Sequence, residues 1–351
     1  MSHNALHQCR VREPIAGMSA TDMANARLPG HDTMFVSRRA PWRWLAFVAL
    51  LALALLPAAL GSRYVQHVAT MVAIMAILAL SMNLMLRIGQ ISMAHGAFMA
   101  MGAYASGLLT VRLGFSPCAA LVVGALGTGL VASLLGLVIL RIKGVFFVLL
   151  TYAFGQIVNL TMQEWTSLTG GNNGMHGIPK FSFFTYAITQ PATYYVFTLG
   201  CAVAAWLMVR AIVTSKIGEV LGSIEQDEPF SRSLGVNAPM WRIAVFGVSA
   251  AMAAIAGSLC AHHLNFLSPS TFGFTLSVDL LVMNIIGGVL STLGPIVGAL
   301  VVVPLPELLR GVKEYELLAY GVLLLVCLLF FKQGLVGCFV RISEGRRHGR
   351  H

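Results

Sequence analysis

The chain has 351 residues, of which 57% are hydrophobic and only 10% charged, against about 25% charged in an ordinary soluble domain. Most of its long segments are apolar all round instead of showing a polar face every ~3.6 residues, which excludes a soluble globule. The formal charge of +10 does not mark a nucleic-acid surface, because the basic residues stand at the ends of apolar stretches and in the tails rather than along one amphipathic face.

Residues 1–41 are polar and punctuated by Pro14, Pro29 and Pro41. They lack the basic, apolar, small-residue order of a cleavable signal peptide and read as a flexible cytoplasmic tail. Met34, just ahead of Ser37-Arg38-Arg39, is an alternative start. A hydrocarbon core about 30 Å thick asks for around 20 apolar residues per helix. No Lys, Arg, Asp or Glu interrupts the stretches from Arg43 to Arg63, Arg63 to Arg87, Arg87 to Arg112 and Arg112 to Arg141. Apolar helices are expected at 44–61, 64–86, 89–111, 118–140, 144–161, 192–213, 243–264, 277–289, 293–310 and 317–331. Glycine and proline (Gly287, Gly288, Gly294 and Pro295) break the stretch 277–310. These helices make a transmembrane domain over 42–332, and a basic cytoplasmic tail follows at 333–351.

The expected architecture is therefore an all-α polytopic membrane protein of about ten spans, eight at the fewest, with both termini cytoplasmic. The positive-inside rule tests that layout. It puts 18 Lys and Arg inside against 5 outside, and 12 against 5 without the N-terminal tail.

Two connections are too long to be mere turns. The external one, 162–191, carries Thr169-Gly170-Gly171-Asn172-Asn173-Gly174 and Gly177-Ile178-Pro179. The cytoplasmic one, 214–242, holds Glu219, Glu225, Asp227 and Glu228. In it Ser215 suits the cap of a short helix, with Glu219 near its first turn. Pro229 suits the first turn of a second helix, and Gly235 its stop. Helices so short are marginal alone in water, so either they dock on a partner or the segment is a solvated linker.

Chemistry within the chain is hard to find. A P-loop, HExxH and GxSxG are all missing, which removes nucleotide binding of that type, zinc proteolysis and serine hydrolysis. The cysteines (Cys9, Cys118, Cys201, Cys260, Cys327 and Cys338) are scattered with no CxxC and read as small hydrophobes. His262 and His263 are adjacent, so on a helix their rings diverge and make a poor joint metal site. No metal and no catalytic residue is expected. An ion-coupled transporter usually needs a carboxylate near the midplane, whereas Asp279 and Glu307 read as interfacial. The energy source is then a partner ATPase, the alternative being a secondary transporter or facilitator that works without one. The best intramembrane candidate is the polar, glycine-broken segment 81–107, where Asn83, Gln90, Ser92, His95 and Gly96 can either bind a solute or serve as polar glue between helices.

At these residues the chain resembles the branched-chain amino acid ABC transporter permeases of the LivM type, over roughly 64–335. The blocks that carry the resemblance run in order. They are Leu80-Ser-Met-Asn-Leu with Gly89-Gln-Ile-Ser, His95-Gly-Ala-Phe and Gly102-Ala-Tyr; Arg141-Ile-Lys-Gly-Val-Phe-Phe with Thr151; Thr169-Gly-Gly-Asn-Asn-Gly with Gly177-Ile-Pro; Lys216-Ile-Gly with Glu225, Glu228 and Leu234-Gly235; Ala253-Ala-Ile-Ala-Gly; and Gly287-Gly-Val-Leu-Ser with Leu293-Gly-Pro and Gly298-Ala.

The resemblance implies a multi-pass protein of the bacterial inner membrane. It would work with a LivH-like second permease, two cytoplasmic ATPase subunits that use ATP and Mg, and an extracytoplasmic solute-binding protein that holds most of the selectivity. It makes 214–242 the ATPase-coupling segment, with Gly218, Glu219, Glu228, Leu234 and Gly235 as its key positions. The loop around Thr169, Gly170, Gly171, Asn173 and Gly174 becomes a surface near the binding protein or the outer mouth. The chain departs from the family pattern at Ser231-Arg232-Ser233, ahead of the loop's Leu-Gly, and at Arg87, where a small or aromatic residue is more usual.

Overall fold

The computed structural model describes residues 61–306 apart from 143 and 184–185, together with 57, 58, 321 and 325. All of these fall in one compact unit, Leu55–His351. Apart from those few positions, the tails, the expected spans 44–61 and 317–331 and Glu307 lie outside the described residues.

Seven helices follow the apolar stretches: α1 (Arg63–Leu86), α2 (His95–Leu113), α3 (Pro117–Ile139), α4 (Val145–Glu164), α6 (Pro191–Thr214), α9 (Ala238–Leu264) and α10 (Phe274–Gly287). A further one, α11, covers Gly294–Val302. The one-turn α5 (Thr166–Thr169) and three short strands, β1 (Met175–His176), β2 (Ser182–Phe183) and β3 (Tyr186–Ala187), lie in the 165–190 connection. Two short helices, α7 (Lys216–Gln226) and α8 (Glu228–Ser233), lie in the other long connection, and β4 (Phe266–Leu267) follows α9. Among the described residues six helices are long and apolar enough to cross a membrane; one of them joins the single-turn helix Pro269–Phe272 to α10.

Two helix starts differ most from expectation. α9 starts at Ala238 rather than 243, because the Asn237 side chain accepts from the Met240 amide at 3.3 Å and Pro239 fits the first turn. α2 starts at His95 rather than 89, and the backbone from 87 to 94 is not helical.

α9 packs along α1, α2 and α3, and α1 also meets α6 and α11. α1 and α9 are mostly buried, whereas few residues of α4 and α6 are. Lipid tails are as apolar as leucine, so close packing rather than water exclusion must hold such helices together. The α9 sequence supplies the small residues this requires. Ala250, Ala253, Ala254, Ala256 and Ala261 are all fully buried. A Cβ at Gly257 would overlap the Met99 carbonyl, and one at Gly102 would overlap the Ala254 backbone. α2 and α9 thus meet backbone to backbone.

The two ends of this bundle are distinct. At one end Arg112 donates to the Ser167 and Leu168 carbonyls, β1 pairs antiparallel with β4, and His263 bonds His67 at 2.9 Å. At the other end residues 88–90, Gly144, 224–229 and Arg242 surround a cleft.

Candidate functional site

The non-helical stretch 87–94 is the first site element. α1 closes with a tight turn in which the Gly89 and Gln90 amides donate back to Leu86 and Met85, both at 3.1 Å. The chain then re-enters the bundle, and His95 opens α2 fully buried. Its Nε2 lies 2.8 Å from Ser249 Oγ, about 16 Å along α9 from Ala238 at ~1.5 Å per residue. The Ser249 hydroxyl donates to the Ser81 carbonyl at 2.8 Å, and His95 Nδ1 lies 3.2 Å from the Ser92 carbonyl, so the ring is held from both sides.

Irregular backbone at membrane depth survives only when its polar groups find partners. Here the partners come from three helices. Thr151 of α4 accepts from the Met93 amide at 3.1 Å. Ser277 of α10 accepts from the Gly96 amide at 3.1 Å and donates to the Met93 carbonyl at 2.9 Å. Ser249 of α9 holds the imidazole. Ser92, His95 and Gly96 therefore form one buried cluster, completed by Ser81, Thr151, Ser249 and Ser277.

The second element is the break between α10 and α11. A Cβ at Gly287 would overlap the Gly294 carbonyl, and one at Gly298 the Met283 carbonyl, so the two helices close into a tight hairpin. Gly288 sits at φ 105, which favours glycine, and Pro295 occupies the first turn of α11. The carbonyls freed by this break are bonded from α1. Asn83 donates to the Val289 carbonyl at 2.8 Å and to Asn284 Oδ1 at 3.1 Å. Arg87 donates to Asn83 Oδ1 at 2.9 Å and to the Leu290 carbonyl at 2.8 Å. Asn83 is thus committed to Asn284 and Val289 at the break that Gly287, Gly288 and Gly294 make, away from the His95 cluster. Burial lowers the Arg87 guanidinium from its ordinary value, and the Glu225 charge raises it part of the way back.

Gln90 goes elsewhere. It is buried, and neither of its amide atoms has a hydrogen-bond partner. It lines a cleft of about 310 Å³ with Gly89, Gly144, Ile224, Glu225 and Arg242, directly against α7 and α8.

The 214–242 connection is the third element. Ser215 accepts from the Ile217 amide at 3.2 Å to cap α7, and Asp227 accepts from the Phe230 amide at 3.0 Å to cap α8. Gly218 is pressed on the end of α6, where a Cβ would overlap the Val213 carbonyl. Glu228 is only 5% exposed and pairs with Arg232 at 2.6 Å and with Arg242 at 2.7 Å. Arg242 belongs to the first turns of α9 and is 7% exposed, so the pair fastens the loop to the central helix. Glu219, Leu234 and Gly235 are exposed. With Phe230 and Met240, Leu234 makes an exposed apolar surface beside the end of the bundle.

In the opposite loop Thr169 is buried and lies 2.7 Å from both the Met162 and Trp165 carbonyls, while it accepts from the Gly171 amide. A Cβ at Gly170 would overlap the Gly174 carbonyl, and one at Gly174 the Leu267 carbonyl. Gly171 and Gly174 are buried, and Asn173 is exposed. His262 bonds Ser106 and the Pro179 carbonyl while His263 bonds His67, so the two rings diverge. Among the described residues no cluster of three metal-ligating side chains occurs.

Several of these partners escape a sequence reading. Ser249 and Asn284 stand alone in apolar runs, and that isolation is the one signal that marks them, whereas Ser277 lies between Thr275 and Asp279 with no such signal.

A bundle of apolar helices with two polar, glycine-broken interruptions and a helical loop at one end defines a multi-pass membrane protein of transporter type. The chain matches the family described as branched-chain amino acid transport system / permease component over residues 64–331 and belongs to it. It is 30% identical over 335 residues to the high-affinity branched-chain amino acid transport system permease protein LivM of Escherichia coli K12, a match that covers 88% of this chain and 77% of that protein. The LivM protein of Salmonella typhimurium LT2 is similar to the same extent. The LivH permease protein of Salmonella typhimurium LT2 is 26% identical over 273 residues, covering 71% of this chain and 86% of LivH. No solved structure matches the chain.

Proposed function

We propose that this chain is the LivM-type permease subunit of an ATP-driven importer for branched-chain amino acids or related small solutes. In this reading it lies in the bacterial inner membrane with the 214–242 loop and both termini in the cytoplasm. It pairs with a LivH-like second permease, takes its energy from two ATPase subunits that use ATP and Mg, and receives solute from an extracytoplasmic binding protein near 162–191.

The observation that carries the proposal is the α7–α8 unit. It presents exposed Phe230 and Leu234, beside Met240 of α9, to a partner, while the buried Glu228–Arg242 pair ties it to the start of α9. A displacement of α8 is thereby passed to the helix that holds Ser249 and, through it, His95. Movement of rigid helices about the broken segments then exposes the path alternately to the two sides. Ser92, His95 and Gly96 line that path at depth in this reading.

Co-reconstitution with the cognate ATPases, second permease and binding protein tests the reading. Uptake of labelled leucine should require ATP and every one of these chains. ATP-independent uptake by the purified chain alone would make it a facilitator instead.

A further inference from the structure

A second, larger cleft opens beside the loop just described and has no part in the transport path. It measures about 610 Å³ and lies between the end of α3, α8 and the first turns of α9, well within the size range of small-molecule sites, about 300–1,000 Å³. Three arginines line it, Arg141, Arg232 and Arg242, against the single carboxylate of Glu228. Both oxygens of that carboxylate are already paired, so the cleft keeps two positive charges in excess. Arg141 is exposed and donates its Nε to the Leu137 carbonyl at 3.1 Å. Its two terminal nitrogens make no bond among the described residues. The nearby acidic residues Glu225 and Asp227 face the smaller cleft around Gln90 instead.

The other wall is apolar. Leu137 and Leu140 line the cleft, and Leu137 continues an exposed ridge on α3 made by Leu126, Leu130, Leu134 and Val138. A ligand that satisfies both walls needs an anionic head for the arginines and a long apolar tail for the ridge. Arginine forks suit phosphate oxygens because two parallel N–H groups meet two acceptors, and basic clefts between membrane helices take phospholipid head groups in this way.

We propose that the Arg141–Arg232–Arg242 cleft binds one anionic phospholipid, its phosphate on Arg141 and Arg232 and its acyl chain along Leu134 and Leu137. Such a lipid would touch Pro229 and Arg232 and so would steady α8. The site does not depend on the transport reading, since a lipid can belong to a membrane protein of any activity.

Native mass spectrometry of the full chain in mild detergent, titrated with phosphatidylglycerol and separately with phosphatidylethanolamine, tests it. Phosphatidylglycerol should occupy one preferred site, and phosphatidylethanolamine should bind without such preference. Arg141→Gln should weaken the phosphatidylglycerol site about fivefold, as expected at about 1 kcal/mol per basic residue, and Arg141→Lys should keep most of the affinity. Arg232→Gln provides a second, independent removal of charge. Equal binding of the two lipids, or affinity unchanged in both Gln variants, would overturn the proposal. Inorganic phosphate that displaces phosphatidylglycerol at equal concentration would assign the cleft to free phosphate and overturn the lipid. Lost retention of the cognate ATPase by Arg141→Gln, with lipid affinity intact, would assign it to a protein partner and do the same.

Discussion

At one end of the bundle the 165–190 connection turns its polar groups inward. Thr169 bonds two carbonyls and an amide of its own loop, Gly174 packs on Leu267, and β1 seals the segment to β4. At the other end the 214–242 connection is fastened through Glu228 and the buried Leu221 and Ile224, and leaves Phe230, Leu234 and Met240 in the open. A loop that satisfies itself keeps its shape without help. One that is anchored at a buried point and apolar on its surface is built to be moved by something that docks on it.

The largest effect should come from that anchor. Glu228→Ala leaves Arg242 buried without its counter-charge, and removal of one partner from a buried pair costs about 3–5 kcal/mol. Thermal unfolding should shift down accordingly, and protease should cut 214–242 sooner. If the midpoint stays put, the anchor is not where the geometry sets it. Thr169→Val comes next. It strands the Gly171 amide and takes a donor from the Met162 carbonyl, for about 1–3 kcal/mol. Hydrogen exchange should rise over 166–174 and stay level over 214–242, whereas a rise in both loops would dissolve the contrast between them. Arg232→Ala should cost under about 1 kcal/mol, since its side chain is 56% exposed and solvent screens the pair. A loss as large as that of Glu228→Ala would make the outer arginine, not Arg242, the anchor. The joint change Phe230→Ser and Leu234→Ser should move stability least, within about 0.5 kcal/mol. It should nevertheless reduce ATPase retention on pull-down, and full retention would deprive the exposed surface of its role.

Much of this organisation is legible in the residue order. The spans over 64–86, 118–140, 144–161 and 192–213 follow from charge-free apolar runs, and α1, α3, α4 and α6 lie within a few residues of them. The caps of α7 and α8 are local devices, so Ser215 and Pro229 announce them. Contacts across the bundle are not local, and there the sequence is silent. Residues 89–94 carry no charge and read as the start of the helix that follows. What keeps them out of it is Thr151 and Ser277, which meet Met93 and Gly96 from far along the chain. Asn83, Gln90 and His95 likewise read as one polar stretch, yet Asn83 goes to the α10–α11 hairpin, Gln90 to the cleft under α7 and His95 to α9. Glu228 reads as a solvated loop acid. Its burial depends on Arg242, which the sequence reading leaves in the same connection and the structure places in α9.

Gly235 offers the most direct test of coupling through the 214–242 loop. It sits at φ 86, and a Cβ added there would meet nothing within 4 Å, so Gly235→Asp strains the backbone just after α8 without crowding any neighbour. In proteoliposomes of the assembled transporter, leucine uptake and ATP hydrolysis should be measured together. Normal membrane insertion, continued ATP hydrolysis and a fall in leucine carried per ATP consumed are the expected results. An unchanged ratio of uptake to hydrolysis would contradict the coupling role of this loop.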